Sequence, residues 1–234
     1  MVICSIPILS MHPLPHTQAS QVFISSPVNL NKPVSRNDIY DSLHLGNFGL
    51  SKKAFEEGLA GLRLLVSAGD IRNAGILSII DLSLPSSKKR LFILDLNTYK
   101  LIFNTYVSHG RNSGKEMATH FSNKPNSCES SLGFYVTGDT YIGHNGYSLK
   151  LNGKEKGIND NACSRGIVIH SASYVNERIA RNKGYIGRSE GCPAIPKTLR
   201  RNIIEKIKNG SCLFMYSPDK FYEMHSKMKS SSTS

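Results

Sequence analysis

From residue 76 onward the chain breaks into short, β-rich apolar segments, and this feature most limits what it can fold into. The runs 76-ILSIIDLS-83, 90-RLFILDL-96 and 99-YKLIFNTYVS-108 follow one another with only brief polar interruptions. Their length and their content of Ile, Val, Phe and Tyr suit strands. Asn97-Thr98, between the last two, predicts a tight hairpin. The segment 133-GFYVTGDTYIG-143 reads as a strand pair turning at Gly138-Asp139, and 147-YSLKLNG-153, 166-GIVIH-170 and 212-CLFMYS-217 add further strands. So many short strands with few helices between them predict a mostly β domain with flanking helices, a sandwich or open barrel, over 76–217.

Helical periodicity is confined to a few places. In 51-SKKAFEEGLAGLRLLVSAGD-70, Phe55, Leu59, Leu62 and Val66 recur at helical spacing, Ser51 is a candidate N-cap and Gly69 a stop. This makes 38–75 a helical lead-in. A short helix is expected over 174-YVNERIARN-182. Another is expected to start near Pro196, with Leu199, Ile203, Ile204 and Ile207 as its apolar stripe. Residues 218–234 read as a polar C-terminal tail.

Residues 10–37 are rich in Pro, Ser and Asn and have no period, so 1–37 is expected to be a flexible N-terminal arm. Its start, 2-VICSIPIL-9, is as long as a short signal-peptide core but has no basic residue before it and no clear cleavage site after it. Two readings stand: a plain arm, or the remnant of an export signal. The chain has no apolar run near the roughly 18 residues needed to span a bilayer.

The net charge is +12, from 29 Lys+Arg against 17 Asp+Glu. Such a surface attracts polyanions. The basic residues are scattered rather than interleaved with aromatics, and nucleic-acid-binding signatures are missing, so nucleic acid is not an expected partner. The five cysteines (Cys4, Cys128, Cys163, Cys192 and Cys212) contain no C-x-x-C pair. Four of the histidines, His109, His120, His144 and His170, lack metal-ligand spacing. No metal and no cofactor are expected.

The chemistry lies in 187-GRSEGCPAIP-196 and in the histidine that ends 166-GIVIH-170. A nucleophilic thiol needs access, a base, and donors for the oxyanion formed when it attacks a carbonyl. Gly191 removes bulk beside Cys192, and the N–H groups of Gly191 and Cys192 are candidate donors. His170, at a strand end, is a candidate base. On composition alone a lone cysteine is more often a buried small hydrophobe, and a lone histidine a structural residue.

The pattern His170, then Ser189-Glu190-Gly191-Cys192, resembles the signature of the L,D-transpeptidase catalytic domain, the YkuD-like fold. In 131-SLGFY-135, Gly133 and Tyr135 match the Thr-Pro-x-Gly-x-Phe/Tyr element of that family. The stretches 109-HGRNSG-114, 121-FSNKPNS-127, 131-SLGFYVTG-138, 187-GRSEGCPAIP-196 and 208-KNGSCLF-214 resemble the murein L,D-transpeptidase branch, as does 39-IYDSLHLGNFGLSKKAFEEGLAGL-62. The resemblance spans about residues 38–217.

It implies acyl transfer on peptidoglycan stem peptides. Cys192 attacks the carbonyl before a terminal D-residue, that residue leaves, and a thioester remains until an amine resolves it. Water as acceptor would make the protein an L,D-carboxypeptidase. A wall-binding protein with weak turnover is a further alternative. Cys192 is then the nucleophile and His170 the base, with Gly191 and Ser189 as loop and oxyanion support. Arg188, Gly133, Tyr135 and His109 are substrate-binding candidates. The protein is expected to be a monomer, exported to the periplasm or cell wall. Three positions depart from the wider family: Ser171 stands where glycine usually follows the histidine, Glu190 replaces a second histidine, and Ala194 replaces an arginine. The first two flank the proposed base and nucleophile; the third leaves Arg188 as the nearest cation in the chain. If the protein is exported, Cys128 and Cys163 are able to pair.

Overall fold

A computed structural model describes residues 36–228 of the chain, with side chains from residue 39. The N-terminal arm with its apolar start therefore lies almost wholly outside the described residues. In chain order the elements are α1 (Arg36–Ser42), α2 (Lys52–Ser67), β1 (Asn73–Asp81), β2 (Leu91–Asp95), β3 (Lys100–Thr105), β4 (Gly133–Gly143), β5 (Gly146–Gly153), β6 (Val168–Ala172), α3 (Glu177–Lys183), β7 (Ala194–Pro196), α4 (Arg200–Ile207), β8 (Ser211–Tyr216) and α5 (Lys220–His225).

All eight strands form one sheet, in the order β3-β2-β1-β8-β4-β5-β6-β7. Pairs β1–β8 and β6–β7 are parallel and the rest antiparallel. The sheet curls until its ends almost meet. Just past β3, Ser108 N donates to Ala194 O of β7 at 2.9 Å, and Gly110 bridges Ser189. Of the two expected architectures, the open barrel is the one formed.

Helix α2 closes one face. Ser51 caps it, its hydroxyl accepting from Ala54 N at 3.3 Å, and Gly69 ends it at φ +76°. Phe55, Leu59, Leu62 and Leu65 are buried, each worth about 1.5–3 kcal/mol in area removed from water. Gly61 lets the helix lie flat: a Cβ there would sit 2.1 Å from the ring of Phe134, which is itself stacked on Phe214 at 4.1 Å.

Three expectations need correcting. First, β4 does not turn at Gly138-Asp139. Its pairing with β5 resumes beyond them, the register slipping between Thr137 and Thr140, so one extra residue is absorbed as a bulge. The hairpin reverses at His144-Asn145 instead, before Gly146 at φ +76°. Second, Pro196 ends β7 rather than starting a helix; a 3-10 turn over Lys197–Leu199 intervenes before α4. Ile203, Ile204 and Ile207 are buried on that helix as the stripe required. Third, the segment after 217 is not simply a polar tail. In α5, Tyr222 is buried and donates to Glu155 Oε1 at 3.0 Å, and Ser226 donates to the same carboxylate. Glu155 also accepts from Phe134 N at 2.8 Å, so the C-terminal segment is tied to β4 through one buried acid. No described helix is long and apolar enough to cross a membrane.

Candidate active site

The loop that carries Cys192 is held from several sides. Ser189 N donates to His109 O at 3.0 Å and Arg111 N to Ser189 O at 2.8 Å. Ser189 Oγ donates to Cys192 O at 2.5 Å and accepts from Gly191 N at 3.1 Å, folding the loop back on itself. Ser130 Oγ donates to Gly191 O at 3.2 Å. Gly191 stands at φ +121°, and a Cβ there would lie 2.8 Å from Glu129 O. Glycine is needed at 191 because another stretch of backbone passes against it and φ is positive. In this structure its N–H is engaged by Ser189, so it reaches an oxyanion only if that bond opens.

The parallel β6–β7 pair, with His170 opposite Ala194, brings the two sequence segments together. Val168 N donates to Cys192 Sγ at 3.5 Å, and Sγ lies 3.6 Å from Gly166 O. Cys192 and His170 line one cleft of about 620 Å³. His170 is 6 % exposed and its Nδ1 is 3.3 Å from Ser171 O. A carbonyl accepts only, so Nδ1 carries the proton and Nε2 keeps its lone pair. Burial lowers the His170 pKa, opposed by that hydrogen bond. Burial likewise raises the Cys192 thiol, opposed by Val168 N–H and by the charge of Arg165. Both shifts favour the neutral forms, thiol and imidazole.

A profile of the L,D-transpeptidase catalytic domain matches residues 47–216. The chain belongs to the L,D-transpeptidase catalytic domain family. No curated protein matches it at the sequence level. Among solved structures, it is similar to an L,D-transpeptidase from Mycobacterium smegmatis (10 % identity, 61 % of this chain and 59 % of that one, TM-score 0.38). It is also similar to one from Stackebrandtia nassauensis (15 %, 61 % and 56 %, 0.36). A third is a helical cell shape determining protein from Campylobacter jejuni (12 %, 69 % and 57 %, 0.40). The aligned part spans under two thirds of each of these chains.

The other family positions are distributed unevenly. Arg188 lines the cleft, its Nη1 donating to Gly114 O at 3.1 Å and Arg111 O at 3.3 Å. Glu190, on the rim, pairs with Arg111 at 3.0 Å, both side chains being exposed. Gly133 and Tyr135 do not line the cleft. Gly133 begins β4 against Glu155, at φ +98°, and Tyr135 is buried with its hydroxyl donating to Ser131 O at 3.0 Å. His109 is also behind the wall, 1 % exposed. Its Nδ1 lies 2.6 Å from Arg90 Nη2, and burial with that cation beside it lowers its pKa to about 4. All three support the loop and sheet rather than face the cleft. Cys128 lines the cleft; it and Cys163 are free thiols.

Ala194, where the wider family has arginine, is fully buried in β7. A cation nonetheless reaches the cleft from Arg165, a residue that motif reading passed over. Its Nη1 donates to Ser122 O at 2.7 Å and Ser131 Oγ at 2.5 Å, and its Nη2 to Glu129 O at 2.8 Å and Ser127 Oγ at 3.1 Å. It stitches the 122–131 loop to the cleft wall. Its one sequence signal is its place directly before the 166-GIVIH-170 run. Tyr174, expected within a helix over 174–182, also lines the cleft, and α3 starts only at Glu177.

Proposed function

We propose that the protein is a cysteine-dependent L,D-transpeptidase acting on peptidoglycan stem peptides in the periplasm or cell wall. The observation that carries this is the sharing of one cleft by Cys192 and His170 in a chain of this family. His170 Nε2 takes the Sγ proton as Sγ attacks the carbonyl before the terminal D-residue. The C–S bond forms, the C–N bond breaks, and the proton passes to the departing amine. In the second half, an amine attacks the thioester, gives its proton to His170, and the thiolate leaves and is reprotonated. In this reading Arg188 and the 122–131 loop hold the peptide, which is supported by Arg188 and Asn126 lining the cleft. Water in place of the amine would give carboxypeptidase activity from the same steps. The engaged Gly191 N–H favours one other reading, a wall-binding protein with weak turnover, because an oxyanion donor is then missing.

The test is intact-protein and peptide mass spectrometry after incubation with a carbapenem, a strained acyl donor. One adduct on the Cys192 peptide is expected. An adduct on another residue, or a folded protein with reduced Cys192 and no adduct, would move the assignment to the wall-binding reading.

The pH profile of acylation is a second check. The lowered His170 pKa keeps the base neutral to lower pH, so the acid limb should fall below about 6.5. The raised thiol pKa means the rate should not follow bulk thiolate formation between pH 7 and about 8.5. An acid limb above 6.5 would contradict the resting neutral pair.

A further inference from the structure

Arg90, just before β2, is fully buried. A buried guanidinium is costly to keep unless its donors are met. Its Nε and Nη2 donate to Val107 O at 3.1 and 3.0 Å, and its Nη1 to Leu84 O at 2.9 Å. Nη2 also reaches His109 Nδ1 at 2.6 Å. An arginine only donates, so Nδ1 is the acceptor and the imidazole proton sits on Nε2. Nε2 then donates to Gly114 O at 3.2 Å. One tautomer alone meets both contacts, because a proton on Nδ1 would face a guanidinium N–H. Gly114 O has a second donor, Arg188 Nη1 at 3.1 Å, which also donates to Arg111 O at 3.3 Å. A carbonyl oxygen has two lone pairs, and both are used here.

A chain of contacts thus runs from the core to the cleft, from Arg90 through His109 and Gly114 O to Arg188. Gly114 is itself closely held: it stands at φ +145°, and a Cβ there would lie 2.0 Å from Met117 O. The main chain of His109 accepts from Ser189 N, so one residue steadies both the cysteine loop and the cation beside it. Arg188 is exposed and lines the cleft with Cys192. Its hydrogen bonds within the described residues all run through Nη1, which leaves the Nε–Nη2 edge for a ligand. That edge matches the two oxygens of a carboxylate. We propose that Arg90 and His109 are a positioning pair: by fixing one imidazole tautomer they hold the Gly114 carbonyl, and through it Arg188, where the cleft meets a carboxylate of its substrate. That the carboxylate belongs to a stem peptide rests on the acyl-transfer reading above; that His109 fixes Arg188 does not.

Side-chain nitrogen NMR of the full chain at neutral pH should show His109 as the Nε2–H tautomer and slow rotation of the Arg188 guanidinium. A protonated imidazole, the Nδ1–H tautomer or a freely rotating Arg188 would overturn the proposal. Two substitutions then split the imidazole in half. An asparagine Oδ1 stands where Nδ1 does, so His109→Asn keeps the acceptor for Arg90 and loses the donor to Gly114 O. A glutamine Nε2 stands near the place of the histidine Nε2, so His109→Gln keeps that donor and strips Arg90 of its acceptor. His109→Gln should therefore melt at the lower temperature, since a buried donor is left unmet. Arg188 should rank the two the other way, rotating freely in His109→Asn and slowly in His109→Gln. If Arg188 instead follows the melting temperatures, His109 is merely structural. With a stem tetrapeptide, His109→Asn should raise KM about tenfold, the loss falling on KM rather than on kcat. Added to Arg188→Gln, the same change should cost less than about twofold more. A full tenfold loss in that background would mean that His109 does not act through Arg188. An Arg188 that loosens as expected in a protein that neither binds nor turns over the tetrapeptide would sink the stem-peptide reading and leave the positioning pair standing.

Discussion

His170→Gln is expected to form the acyl-enzyme about 10²–10⁴-fold more slowly than wild type, and Cys192→Ala not to form it at all. The size of the histidine effect follows from the resting state. Burial holds the thiol above its ordinary pKa and the imidazole below its own, so little thiolate pre-exists. The proton must therefore move as the C–S bond forms, and Nε2 is the group left free to take it once Nδ1 is committed to Ser171 O. Glutamine keeps the side chain's polarity but is no base. Acylation by a stem tetrapeptide, followed by release of its terminal D-residue, measures the effect, and thermal melting checks that the variants fold. A loss smaller than tenfold in His170→Gln would mean that Cys192 is already a thiolate at rest.

Arg165→Met should lower acylation about 10- to 100-fold, by two routes that a second variant separates. The guanidinium donates four hydrogen bonds to the 122–131 loop, and methionine leaves Ser122 O and Glu129 O without them. It also supplies positive charge that lowers the Cys192 thiol pKa against the burial that raises it. Removing the charge should push the thiol pKa further up, measured by the pH dependence of thiol alkylation. Arg165→Lys retains the charge but not the planar fork, so it should restore the thiol titration without restoring the rate. If lysine restores both, the loop contacts are dispensable and charge alone matters. If the thiol titration does not move in Arg165→Met, the arginine acts only as a staple.

Much of this could be read without a fold because it is local. Short apolar runs rich in β-branched and aromatic residues mark strands, a serine followed by a 3.6-residue apolar stripe marks α2, and a run ending in Gly69 marks its stop. The chemistry of the cysteine loop is also local: a thiol between Gly191 and Pro193, with Ser189 near enough in sequence to bond Cys192 O. Where local reading failed, pairing outvoted it. Gly138-Asp139 has turn composition, yet β5 continues to pair on both sides of it, and the residues become a bulge that moves the turn tip to His144-Asn145 beside the cleft. Tyr222 looked like part of a polar tail, and a buried Glu155 far away in sequence makes it core.

The amino-acid sequence by itself determined the strand-rich character, the helical lead-in and the residue types available for acyl transfer, since each depends on neighbours a few positions apart. Tertiary structure alone decided which of them face one another. The parallel β6–β7 contact set Cys192 and His170 on one cleft, β4 and its buried surroundings turned Gly133 and Tyr135 inward, and Arg90 drew His109 behind the wall. Arg165 came to the cleft from outside the cysteine motif. Such placements are set by long-range pairing and by burial, which act between residues far apart in the chain and leave no periodic trace in it.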